Sequence, residues 1–117
     1  MGANGRLRIE TDFSISNTAS AKTLKLKFGG VTLMSVSPSL GIFDLFEARV
    51  TNRNAADAQR WTAKRINGST NSATSAGTAA VDTTQDVVVE ITGQLANAAD
   101  TVTLESYQVV IDPDDAA

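Results

Sequence analysis

The run RLRIETDFSI, Arg6 to Ile15, decides the fold class. Leu7, Ile9, Thr11, Phe13 and Ile15 fall on one phase, and Arg6, Arg8, Glu10, Asp12 and Ser14 on the other. Successive side chains of an extended chain point to opposite faces, so strict alternation means a strand with one dry and one wet side. Lys22 to Phe28 repeats the pattern, with Leu24, Leu26 and Phe28 inward against Thr23, Lys25 and Lys27. Gly29-Gly30 then turns the chain into Val31 to Val36, where Val31, Leu33 and Ser35 are expected to share a side; this is a β-hairpin.

Working outward, Ser37 to Gly41 is a loop and Ile42 to Arg53 a long strand, with Phe46, Ala48 and Val50 opposite Glu47, Arg49 and Thr51. Asn52 to Asp57 reads as a turn. Gln59 to Ile66 returns with Trp61, Ala63 and Arg65 opposite Thr62, Lys64 and Ile66. Asn67 to Thr84 consists almost wholly of Ala, Ser, Thr, Gly and Asn. A structureless loop of that length is unusual in a compact domain, so part of it is expected to form a strand packed closely on a neighbour. Asp86 to Thr92 is the next expected strand, with Val87, Val89 and Ile91 inward, followed by a loop over Gly93 to Asp100. In Thr101 to Asp112 the apolar phase switches near Ser106, from Val102 and Leu104 to Tyr107, Val109 and Ile111; that switch signals a bulge or a strand buried on both sides.

Seven or eight short strands with no amphipathic helix predict an all-β fold, a single antiparallel jelly-roll-like β-sandwich over residues 1–112 with an acidic tail over 113–117. Leu7, Ile9, Phe13, Leu24, Leu26, Val87, Val89 and Ile91 are its expected core. At 117 residues, one domain is the expectation. No apolar run is long enough for a transmembrane helix, and membrane insertion is not expected.

The chain has neither cysteine nor histidine, which excludes disulfides, thiol chemistry, Cys/His zinc sites and an imidazole base. Among the carboxylates Glu10, Asp12, Asp44, Glu47, Glu90 and Glu105, most fall on outward phases, as solvated faces and cross-strand ion pairs require; no facing acid pair or nucleophile elbow is evident. Asp112, Asp114 and Asp115 lack the carbonyl cage and glycine of a calcium loop. No catalytic residue, metal site or cofactor is expected. With 5% aromatic residues there is no stacking platform, and Trp61 and Tyr107 are the only weak candidates for touching a ligand; for Trp61, packing in the core or at a subunit interface is the plainer reading.

Charge is unevenly spread. Arg6 to Arg65 holds all ten basic residues and five acids, while Ile66 to Ala117 holds eight acids and no base. Pairing between the two halves, within or between subunits, is expected rather than nucleic-acid binding. Phe43, Leu45 and Phe46 sit on opposite phases of one strand start. A two-layer sandwich buries only one phase in its own core, so these three are the candidate oligomer interface.

MGANGRLRI (Met1–Ile9), ASAKTLKLKFGG (Ala19–Gly30) and AVDTTQDVVVEITGQLANAADTVTLESYQVVI (Ala80–Ile111) together resemble a recurrent β-sandwich domain of tailed-bacteriophage virions. The resemblance covers nearly the whole chain and is weakest over Val31–Ser72. Such domains are common at the C-terminal end of tail fibres and tailspikes, and similar jelly rolls serve as head fibres or decoration proteins. The resemblance implies an extracellular, non-enzymatic homotrimer located in the virion. Its partners would be itself, other virion proteins, and a host-surface glycan or protein. One departure is that relatives usually carry a strand before the Met1–Gly5 turn. That implies either a C-terminal piece of a fibre or a capsid protein completed by a strand from elsewhere. A carbohydrate-binding module or glycan hydrolase is the alternative of another class, since fold does not fix function.

Overall fold

The computed structural model describes residues 1–68 and 72–113. Its elements are all strands: β1 (Arg6–Ile15), β2 (Lys22–Phe28), β3 (Val31–Val36), β4 (Phe43–Asn52), β5 (Gln59–Asn67), β6 (Ser72–Ala79), β7 (Val89–Leu95) and β8 (Val102–Asp112). A five-stranded sheet, in the order β6-β5-β4-β1-β8, packs on a three-stranded sheet, β3-β2-β7, and every pairing is antiparallel. The nested pairs β1·β8 and β2·β7 follow the jelly-roll scheme. β3 pairs with β2 alone in its sheet, and β4, β5 and β6 run as a meander.

The alternation in β1 places its apolar phase in the core as expected. Leu7, Ile9, Phe13 and Ile15 meet Phe46, Ala48 and Val50 of β4 and Trp61 and Ala63 of β5; Leu24, Leu26 and Phe28 of β2 close the other layer. Val87, Val89 and Ile91 pack against this cluster only partly buried, because they lie on or beside an edge strand. The hairpin forms at Gly29-Gly30, whose φ values of 53° and 83° suit glycine and match the primed turns that two-residue hairpins favour. Ser35 does not share the side of Val31 and Leu33. Between Leu26↔Met34 and Lys27↔Thr32 the register gains one residue, so Leu33 and Met34 are both buried while Ser35 is exposed.

The small-residue segment does contain a strand, β6, while Ser69 to Asn71 lie outside the described residues. Gly77 lies under Trp61: a Cβ there would come within 2.7 Å of the indole Cζ2, so only glycine lets the two strands pair with the indole between the sheets. β7 is displaced from expectation. It begins at Val89 and includes Gly93-Gln94-Leu95, because each residue of β2 from Lys22 to Phe28 finds a partner there, and that ladder outweighs glycine's poor strand propensity.

Both ends of the sandwich are closed by buried polar groups. At one end the Asn52 amide donates to the Gly2 carbonyl and the Thr83 hydroxyl, at 2.8 and 2.9 Å. The Gln59 amide donates to Asn52 Oδ1 and the Val81 carbonyl and accepts from the Val81 N–H, at 2.9, 2.8 and 2.9 Å. At the other end Lys22 is fully buried, its Nζ donating to Thr18 Oγ1 at 3.0 Å and to the Thr18 and Ser39 carbonyls. Satisfaction of this kind is what makes interior polar groups tolerable. The start of the expected tail is held, since the Pro113 carbonyl accepts from the Gly2 N–H at 2.7 Å. Asp114 to Ala117, with two of the three acids considered for calcium, lie outside the described residues.

Candidate interaction surface

Cross-strand register sorts the charged residues of the large sheet by face. On its outer face Arg8 stands opposite Arg49, and on the next rung Glu10 stands opposite Glu47. Like charges placed so are destabilising. They are offset along the strands and across to β5, by Arg8–Glu10 at 3.3 Å, Arg49–Glu47 at 3.2 Å and Lys64–Glu47 at 3.6 Å. These pairs are exposed and each adds little to stability. A shallow groove of about 540 Å³ runs over this face, with Asp12, Leu45, Lys64 and Ile66 among its lining. Among the described residues no three Asp, Glu, His or Cys side chains are grouped as metal ligands.

Asp44 departs from the outward placement of most carboxylates. It is fully buried on the core face of β4, where Arg65 grips it with Nε at 2.9 and 3.1 Å and Nη2 at 2.8 Å. Asn67 Nδ2 adds a further hydrogen bond at 3.1 Å. The alternation already placed Arg65 with Trp61 and Ala63; what it could not show was the cross-strand position that joins Arg65 to Asp44. Of the ion pairs formed among the described residues, Arg6–Asp112 at 2.9 Å links the basic and acidic halves, whereas the other four lie within the first half. Asp82, in the loop after β6, accepts from the Thr84 hydroxyl at 2.6 Å and the Thr84 N–H at 3.0 Å; these bonds, the hydroxyl's foremost, hold its carboxyl below the ordinary aspartate range.

The three candidate interface residues separate by phase. Phe46 is 2% exposed and packs edge-on against Phe13 at 5.4 Å between ring centroids, which removes it from any surface. Phe43 is half-buried and Leu45 exposed; both lie on the outer phase, with Ile66 directly across from Leu45. Trp61 is buried, so of the two aromatic ligand candidates only Tyr107 reaches solvent.

Tyr107 belongs to a larger feature. The phase switch at Ser106 is a bulge: Asp12 pairs with Ser106 and Phe13 with Leu104, leaving Glu105 as the extra residue. The bulge returns Val102, Leu104, Tyr107, Val109 and Ile111 to a single face, the one that β1 turns into the core. Yet Leu104 is 39%, Tyr107 67%, Val109 38% and Ile111 56% exposed. The physical reason is width. The smaller sheet ends at β7, which reaches β8 where Gly93 meets Val102, and the rest of β8 has no strand above it. A cleft of about 320 Å³ opens between these two edge strands, with Phe13, Ile91, Leu95 and Leu104 in its walls. The stripe was visible in sequence as two apolar runs; that it stays wet follows from the unequal sheets. Comparison with family models, curated proteins and solved structures gives no match.

Proposed function

We propose that the chain is a non-enzymatic structural module of a bacteriophage virion, a trimerising and receptor-contacting C-terminal domain of a tail fibre or tailspike. The observation that carries the assembly part is the stripe on β8, where residues of the core phase lie exposed along an edge strand. Soluble monomers seldom keep such a patch together with an open sheet edge. The virion assignment rests on the sequence resemblance, and the absence of imidazole and thiol groups supports a structural reading over a catalytic one. Light scattering at micromolar concentration is expected to give about three times 12.3 kDa. A stable monomer would overturn the assembly reading. Antibody labelling of particles by electron microscopy should mark tail tips; label spread over heads would replace the fibre reading with capsid decoration. Turnover of any glycan would overturn the non-enzymatic reading.

A further inference from the structure

We propose that the outer face of the large sheet binds an acidic saccharide, over two arginine-rich rungs at the Arg6 end of β1. The proposal deepens the receptor-contacting reading above and rests on it for the biological source of the ligand. Across the first rung the register runs Thr78, Arg60, Thr51, Arg6 and Asp112. Across the next it runs Ala76, Thr62, Arg49, Arg8 and Val110. These residues share the outward phase, so four arginines stand together against one carboxylate. A shallow depression of about 350 Å³ lies among Arg6, Arg8, Arg49 and Thr51.

The acids nearby occupy these arginines only in part. Arg8 meets Glu10 through Nε at 3.3 Å, which leaves both of its Nη groups. Arg49 meets Glu47, and Arg6 meets Asp112, through Nη2 alone, at 3.2 and 2.9 Å. The three side chains remain 46%, 68% and 67% exposed. Arg60 enters no ion pair among the described residues. A guanidinium offers a planar fork that takes a carboxylate or sulfate through two hydrogen bonds. Arg8 directly across from Arg49 is a repulsion that an anion between them relieves. Arg60 and Arg6 are two strands apart, about 10 Å, and the rungs lie about 7 Å apart along the strands. That is a footprint for a short chain carrying one or two anionic groups.

The neighbours of the arginines select the class of ligand. Thr51, Thr62 and Thr78 set hydroxyls beside them, suited to the hydroxyls of a sugar. Neither rung holds an aromatic side chain on which a base could stack. The following rung sets Glu10 opposite Glu47, which repels a long polyanion running down the strands. A peptide would look for an apolar anchor, and Val110 is the one large apolar side chain on the two rungs.

Titration calorimetry tests this with a tetramer of galacturonic acid, a sulfated neutral tetrasaccharide, the carboxyl-reduced tetramer and a four-base single-stranded DNA. The acidic saccharides are expected to bind, more weakly as salt is raised, and the reduced tetramer not to. The tighter of the two shows whether the site prefers carboxylate or sulfate. Failure of both to bind, or equal binding of the reduced tetramer, would overturn the proposal. DNA binding as tightly as the saccharides would replace the ligand class with a nucleic acid. Arg8→Gln/Arg49→Gln should weaken binding by about tenfold or more, the loss expected for charge-assisted hydrogen bonds. Lys25→Gln/Lys27→Gln removes the same charge from the outward phase of β2 and should leave binding nearly unchanged. Equal losses in the two variants would mean overall charge and no local site. In the parent chain, the amide resonances of Thr51 and Thr62 should shift most on titration, a measurement that needs no variant. Shifts centred elsewhere would overturn the site. Binding by a chain whose antibody label is absent from tail tips keeps the site and removes the fibre reading; labelled tips without binding do the reverse.

Discussion

Asp44 shows at the scale of one residue why burial and partner cannot be separated. Removing Arg65 alone leaves a fully buried carboxylate with, among the described residues, Asn67 as its remaining side-chain donor, and such breaks cost about 3–5 kcal/mol. Arg65→Ala is expected to fall in that range by urea denaturation, while the joint change Asp44→Leu/Arg65→Met recovers much of the loss. Equal losses in the single and joint variants would mean that packing, and not the stranded charge, sets the cost. Asp82 offers the acid-side counterpart. Its carboxyl is held low by Thr84, so the folded state binds its proton more weakly than the unfolded chain does. That contribution is present above the ordinary aspartate value of about 4 and is lost as pH falls through the lowered one. The Asp82 carboxyl resonance should titrate below the ordinary aspartate range, and Thr84→Val, which keeps the backbone N–H bond, should move it part of the way back.

At the scale of the element, alternation and its interruptions govern. Leu26 is fully buried at the centre of the middle strand of the small sheet, and Leu26→Ala is expected to cost about 2–5 kcal/mol. Lys25, one phase away, should change stability little when truncated; the reverse result would invert the assignment of faces in β2. Gly77 sets a different limit. Its place is fixed by the indole of Trp61 rather than by backbone conformation, so Gly77→Ala forces the β5–β6 pair apart at an expected cost of about 1–3 kcal/mol. Pairing Gly77→Ala with Trp61→Leu should cost less than the sum of the two changes, which a double-mutant cycle would measure. The bulge at Glu105 is the element-scale feature with the longest reach, because it sets the phase of the second half of β8. Deleting Glu105 removes the extra residue and leaves β8 in strict alternation, so Tyr107, Val109 and Ile111 should keep the face of Val102 and Leu104.

For the molecule as a whole, the governing fact is the mismatch of five strands against three. A three-stranded layer covers β1 and its neighbours and leaves β8 wet, so the free chain keeps an apolar face that assembly can bury. In the proposed assembly the buried face is apolar, so the oligomer should depend only weakly on salt. Dissociation by moderate sodium chloride would overturn that expectation. Neither histidine nor cysteine is available to hold a metal, so a chelator is expected to leave the melting curve unmoved. A shift of several degrees with EDTA would point to a carboxylate site and change the chemistry assigned to this fold.

Local pattern alone determined most of the strands, the glycine hairpin, the inward phases of β1, β2, β4 and β5, and the existence of a phase break near Ser106. Each follows from the two-residue period of an extended chain, or from the one residue type that tolerates a turn. Tertiary structure decided what depends on partners remote in sequence. Arg65 meets Asp44 because β5 returns beside β4, and β7 starts late because β2 supplies its ladder. Phe46 enters the core while Leu45 stays on the surface because a second sheet covers one face of β4 only. Period two says that two faces differ, and even which is more apolar. Whether the apolar face of β8 is covered depends on how many strands the opposite sheet contains, and no stretch of β8 itself carries that number.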